Sequence, residues 1–285
     1  MKQEFVRLRA TDDIEMPGVL SSPENGSDTI VLHVHGMNGN FYENRFLDVL
    51  AQTYVDKGIA FLAFNNRGKD YVCELLKGNE YVIIGGSKER FVDCLKDLDG
   101  AVAWAKSRGY SKIILEGHSY GCNKVLYYYN QRKDSAVVKI VLLAPCDIPA
   151  EPKKFMTADD YAKTKAEAER LVQEGKEDNL IAFSVMADGQ VAAGTFYHDF
   201  LPGGENDFLR YGDGIDGASE VLRSIDVPVL VIYGDKDEPV LTQPMDVVNG
   251  YLKNNIRDCK IEVIPGASHT YRQKNAELGE VIRAN

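Results

Sequence analysis

The sequence predicts an α/β protein with a mostly parallel central sheet flanked by helices. Apolar runs of strand length alternate with amphipathic helical stretches, which is the mark of βαβ units. The distinctive polar clusters sit just after those runs, where parallel sheets place their chemistry. The 285 residues suffice for one large domain with an inserted segment and a sizeable core.

Residues 4–20 read as two short strands around the turn acids of Thr11-Asp12-Asp13. Ser21 to Asp28, with Pro23, Asn25 and Gly26, reads as a loop. Thr29 to His35 is a buried strand ending in Gly36-Met37-Asn38-Gly39. From Asn44 to Lys57, Phe46, Leu47, Leu50, Ala51, Tyr54 and Val55 recur at helical spacing, and Gly58 stops the helix. Residues 59–64 form the next strand, running into Asn65-Asn66-Arg67-Gly68. A loop through Gly85-Gly86 leads to a helix near 88–107, which ends at Gly109. Residues 112–116 are a strand, 123–129 a helix and 137–143 another buried strand.

The rhythm then changes. Residues 156–175 are charged and helix-forming, and 180–215 hold aromatics and glycines without a strong period. Residues 148–215 therefore read as a lid or cap insertion, which leaves 1–147 and 216–285 as the core. After it come a helix at 217–225, a strand at 227–233, a helix at 243–253, a strand at 260–264 and a last helix at 273–283.

Bulk properties exclude several classes. A net charge of −10 argues against nucleic acid as a partner. No run of about 18 apolar residues predicts a membrane span, and the N-terminus lacks the apolar core of a signal peptide. The five cysteines are widely spaced, odd in number and without C-x-x-C, so free thiols and a cytoplasmic setting are expected.

Chemistry centres on Gly117-His118-Ser119-Tyr120-Gly121, which fits G-x-S-x-G between a strand and a helix. In that context the pattern is a nucleophile elbow. A serine hydroxyl is a weak nucleophile and needs a base, itself oriented by an acid. In the order expected for an elbow serine, the acid follows and then the histidine. Gly234-Asp235-Lys236-Asp237-Glu238 follows one strand, and Gly266-Ala267-Ser268-His269 follows the next. His33 and His35 alternate within a strand at a spacing that could suit a metal. No carboxylate or cysteine at ligand spacing accompanies them, so packing is the reading and no metal is assigned. His118 is expected to point away from the Ser119 hydroxyl. The early loop has neither a Walker pattern nor G-x-G-x-x-G, so no phosphate cradle is expected.

These three motifs, in this order on successive strand ends, resemble the α/β-hydrolase fold superfamily over nearly the whole chain. The resemblance implies a serine hydrolase without cofactor, acting on a small-molecule carboxylic ester through an acyl-enzyme. It makes Ser119 the nucleophile, His269 the base and Asp237 the acid, with Asp235 and Glu238 as alternatives. The amides of Met37 and Tyr120 become the oxyanion hole, because His35-Gly36-Met37-Asn38-Gly39 resembles the family's H-G-x-x-G loop. The Asn65–Gly68 segment resembles the family's D-x-R-G, with asparagine replacing the acid and Arg67 expected to tie loops together. Gly121 to Tyr128 and Gly36 to Phe41 are similar to siderophore-esterase-like members. The compact insertion resembles feruloyl or cinnamoyl esterases. The same triad serves acyltransferases, thioesterases and amidases, and some relatives only bind ligands. Phe155, Tyr161, Phe183, Phe196, Tyr197, Phe200, Phe208 and Tyr211 are expected to line a pocket or form the insertion's own core. His198, Glu205, Asp207 and Arg210 are weaker candidates for substrate contacts.

Overall fold

The computed structural model describes residues 1–182 and 190–285. The strands are β1 (Lys2–Arg9), β2 (Glu15–Ser22), β3 (Thr29–Val34), β4 (Ala60–Phe64), β5 (Glu74–Lys77), β6 (Glu80–Ile83), β7 (Lys112–His118), β8 (Val137–Leu143), β9 (Val229–Gly234) and β10 (Cys259–Ile264). Eight of them form one sheet in the order β1-β2-β4-β3-β7-β8-β9-β10. From β4 to β10 all pairings are parallel, whereas β1 and β2 join antiparallel at one edge. The central strands are buried on both faces, which is why they read as continuous apolar runs rather than alternating ones.

The helices are α1 (Phe46–Asp56), α2 (Cys94–Ser107), α3 (Tyr120–Arg132), α4 (Glu151–Phe155), α5 (Ala158–Gln173), α6 (Ala193–Thr195), α7 (Glu220–Arg223), α8 (Met245–Asn255) and α9 (Asn275–Ala284). α1 and α9 pack against each other, while α2 and α3 form a second pair. The chain leaves β3 for β4 on one side and later returns to β7 on the other. That reversal opens a crevice at the carboxyl ends of β3 and β7. Val34 pairs with Gly117 there, so the loops that follow the two strands emerge side by side.

Buried polar groups lock these strands together. The Glu116 carboxylate of β7 accepts from the Tyr54 hydroxyl at 2.7 Å and meets His33 Nδ1 at 2.7 Å. Arg67 is buried and donates to Asp97 at 2.7 Å and to Asp12 at 2.9 Å, with Asp93 at 3.2 Å. It thereby ties the loop after β4 to α2 and to the β1–β2 turn.

Two local features depart from the sequence reading. β5 and β6 form a hairpin that no periodicity announces, because both strands are largely exposed and bury no alternating face. The helix expected from residue 88 begins at Cys94, after a 3-10 turn at Phe91–Asp93. Tertiary contact sets that start, since the Phe91 amide donates to Asp199 Oδ1 at 3.3 Å. Between β8 and β9, the unpatterned stretch contains α4, α5, α6 and a π-helical turn at Phe196–Phe200. No helix among the described residues is long and apolar enough to cross a membrane. The five cysteines are free, with Cys94, Cys122 and Cys146 buried and Cys73 and Cys259 half-buried.

Candidate active site

Ser119 occupies the turn between β7 and α3 with φ 54° and ψ −126°, a conformation unfavourable for a residue with a Cβ. Its amide donates to the Leu143 carbonyl at 2.8 Å, which holds the turn in place. The turn closes only because glycines surround it. A Cβ on Gly121 would lie 2.0 Å from the Val34 carbonyl oxygen, and one on Gly36 would lie 2.9 Å from the Ser119 Cβ. Gly36 therefore lets the loop after β3 approach the serine directly.

That loop is fixed from behind by His35. Burial drives its pKa down to about 3, so the ring is neutral. Nε2 accepts from the Asn66 amide at 3.1 Å, which leaves the proton on Nδ1 to donate to the Gly36 carbonyl at 2.8 Å. His33 and His35 are thus structural, each engaged by a neighbouring strand or loop. The amides of Met37 and Tyr120 take no part in the hydrogen bonds found among the described residues. The Tyr120 amide is the first of α3, where no intrahelical acceptor exists.

His269, after β10, directs Nδ1 at Asp237 Oδ1 over 2.8 Å. Asp237 is fully buried and also accepts from the Val240 amide at 3.3 Å. Asp235 faces elsewhere: it accepts from the Gly266 amide at 2.7 Å and so braces the histidine loop. The Glu238 backbone carbonyl receives Lys154. With Nδ1–H on the carboxylate, Nε2 of a neutral His269 is a proton acceptor. Ser119 Oγ lies 3.9 Å from Cys146 Sγ in this conformation.

Ser119 and His269 line one cleft of about 1070 Å³, with Gly36, Met37 and Asn38 on its wall. Its remaining lining includes the charged residues Glu43, Arg45, Asp70 and Arg272. None of the aromatics considered from 148–215 lines this cleft among the described residues. Phe196, Phe200, Phe208 and Tyr211 are buried, Phe155 and Tyr197 are exposed, and Phe183 lies outside the described residues. Arg210 pairs with Asp213 at 3.0 Å, and Asp207 accepts from the Gly203 amide at 2.8 Å.

Sequence reasoning passed over two neighbours of the site. The first is Cys146, just past β8; the rule that chemistry gathers at strand ends would have pointed to it. The second is the contact of His118, whose buried ring lines the serine cleft and reaches the backbone of the histidine loop.

Residues 87–283 match the family described as protein of unknown function, DUF1749. Among curated proteins, the chain is 24% identical over 275 residues to a Synechocystis protein named as a non-heme chloroperoxidase, covering 88% of each chain. It is 26% identical over 199 residues to a non-heme haloperoxidase of Rhodococcus erythropolis, covering 62% of this chain and 68% of that one. Among solved structures, Est1E from Butyrivibrio proteoclasticus with ferulic acid bound superposes with a TM-score of 0.66 at 18% identity, covering 98% and 97% of the two chains. The α/β hydrolase GrgF from Penicillium sp. gives a TM-score of 0.67 at 14% identity, covering 100% and 96%. DcsB in complex with its substrate analogue gives 0.71 at 16% identity, covering 99% and 97%. The shared architecture is the α/β-hydrolase fold.

Proposed function

The chain belongs to the DUF1749 family, an α/β-hydrolase-like family, and from that premise we propose that it is a serine hydrolase cleaving carboxylic esters. The observation that carries this reading is the His269–Asp237 pair opening onto the cleft that Ser119 also lines. In this reading His269 takes the Ser119 proton, Ser119 Oγ attacks the ester carbonyl, and the Met37 and Tyr120 amides receive the oxyanion. Asp237 stabilises the imidazolium. The imidazolium then protonates the leaving alcohol, and water activated by the same ring releases the acid from the acyl-enzyme. The serine hydroxyl turns about a single bond, and hydrogen bonds of this kind tighten once substrate is present. The esterase relatives support hydrolysis of an ester in preference to transfer or simple binding. Residues 148–215 act as the cap in this scheme.

The test is hydrolysis of short p-nitrophenyl esters by wild type and by Ser119→Ala. Loss of about 10³-fold or more on substitution is expected, with covalent labelling of Ser119 by a fluorophosphonate. Hydrolysis undamaged by Ser119→Ala removes the assignment. Transfer of the acyl group to an added amine in preference to water replaces the hydrolase by a transferase.

A further inference from the structure

We infer that the cleft beside Ser119 receives an ester whose substrate carries a carboxylate, held by Arg45 and Arg272. This rests on the esterase reading and names its substrate class. Arg45 comes from the loop after β3 and Arg272 from the histidine loop, so the two cations enter the cleft from the two segments that frame the reacting centre. Both are exposed, and neither forms an ion pair with another described residue. The acids of the same cleft are already engaged. Asp70 pairs with Lys69 at 3.0 Å and accepts from Asn40 at 3.0 Å, and Glu43 accepts from Asn40 at 3.2 Å.

With Asp70 balanced by Lys69, two arginines face one remaining carboxylate. The cleft is therefore locally cationic on a protein whose formal net charge is −10. Two helix amino termini add to this field. α1 and α9 both begin in the cleft wall, next to Arg45 and at Asn275, and neither has a side-chain cap. A planar guanidinium matches a carboxylate with two parallel hydrogen bonds, so the arginines select charge and orient it together. A charged substrate finds its counter-ions in this cleft.

Two pairs of chromogenic esters test the inference, one with the charge on the acyl side and one with it on the alcohol side. Mono-p-nitrophenyl glutarate is compared with p-nitrophenyl butyrate, and 4-acetoxybenzoate with its methyl ester. Wild type is expected to favour the charged member of at least one pair by about tenfold or more in kcat/KM, and added salt should erode the preference. Arg272→Gln and Arg45→Gln should each lower that charged-to-neutral ratio, with Arg272→Lys keeping part of it. Ser119-dependent hydrolysis with no preference in either pair overturns this inference and leaves the esterase reading intact. Glutarate titrated into Ser119→Ala reads the anion site without catalysis. Binding that weakens in the Ser119→Ala, Arg272→Gln double variant is expected, and absence of binding counts against the site even if no ester is cleaved.

Discussion

His118 Nε2 lies 2.8 Å from the carbonyl oxygen of His269, although 151 positions separate the two residues in the chain. A carbonyl only accepts, so Nε2 carries the proton and donates it. Burial, and then the neighbouring His269, hold the His118 pKa well below its ordinary value and keep the ring neutral. Phe46 and Tyr271 pack on this ring with centroids 5.0 Å and 6.3 Å away. The residue before the elbow serine therefore anchors the loop that presents the proposed base.

His118→Ala removes that anchor. Ester hydrolysis is expected to fall by about 10- to 100-fold, with a stability loss of about 1–3 kcal/mol from the unpaired carbonyl and the cavity. His118→Gln, which retains a side-chain N–H, should recover part of the activity. Steady-state kinetics alongside denaturant unfolding separate the two effects, and unchanged kcat in a folded His118→Ala protein would refute the anchoring role.

Asp237→Asn keeps the shape of the acid but leaves His269 without a charge partner and in the wrong tautomer. A loss of about 10³- to 10⁴-fold in kcat is expected. Asp235→Asn should cost far less, because Asp235 braces Gly266 and does not face the imidazole. Equal or greater damage from the Asp235 substitution would reassign the acid.

Gly36→Ala places a methyl group where 2.9 Å separates it from the Ser119 Cβ and 3.1 Å from the His118 carbonyl. The loop must retreat, carrying the Met37 amide with it. Loss of about 10²-fold in kcat is expected, the scale of removing one oxyanion donor, with KM much less affected. Retained kcat would place the oxyanion donor elsewhere.

Arg67→Ala strips the counter-ion from buried Asp97. Destabilisation of about 3–5 kcal/mol is expected from the uncompensated charge, read as a lower midpoint in urea. A midpoint unchanged by this substitution would mean that Asp97 is not held as a buried anion.

Asp199 is buried, and loss of hydration, then repulsion from Glu89, pushes its pKa up to about 8. The native state thus keeps a proton that the unfolded state releases near the ordinary carboxylate value. Its contribution to stability is full at low pH and is lost as pH rises toward about 8, at no more than about 1.4 kcal/mol per pH unit. His118 acts in the opposite direction, lowering stability as pH falls below its ordinary value of 6.5. Asp147 and Glu151, which burial pushes up to about 7, weaken the fold with the same sign between about pH 6.5 and pH 8.5. The share of Asp199 is therefore read by comparing urea midpoints of wild type and Asp199→Asn at the two pH values. Wild type should be weaker at the higher pH, and Asp199→Asn should narrow the gap. A gap of the same size in the variant would exclude Asp199 as its source.

The sequence by itself determined the sheet, because strands buried on both faces must be mostly apolar, and Ile30 to Leu32 or Val229 to Tyr233 carry that pattern without long-range information. It also marked the elbow, since Gly117 must pass close to Gly121 and Cys122 across the tight turn around Ser119. Only the tertiary structure decided what depends on residues distant in the chain. That Asp237, the acid the resemblance implies, faces the His269 ring 32 positions away while Asp235 braces Gly266 is a tertiary fact. The His118 contact, the start of α2 at Cys94 and the meeting of Arg45 with Arg272 in one cleft have no periodic signature. The first and last join loops that leave strands not paired with each other, the second follows the Phe91 amide donating to Asp199, and polar contacts of that kind leave no hydrophobic repeat along either segment.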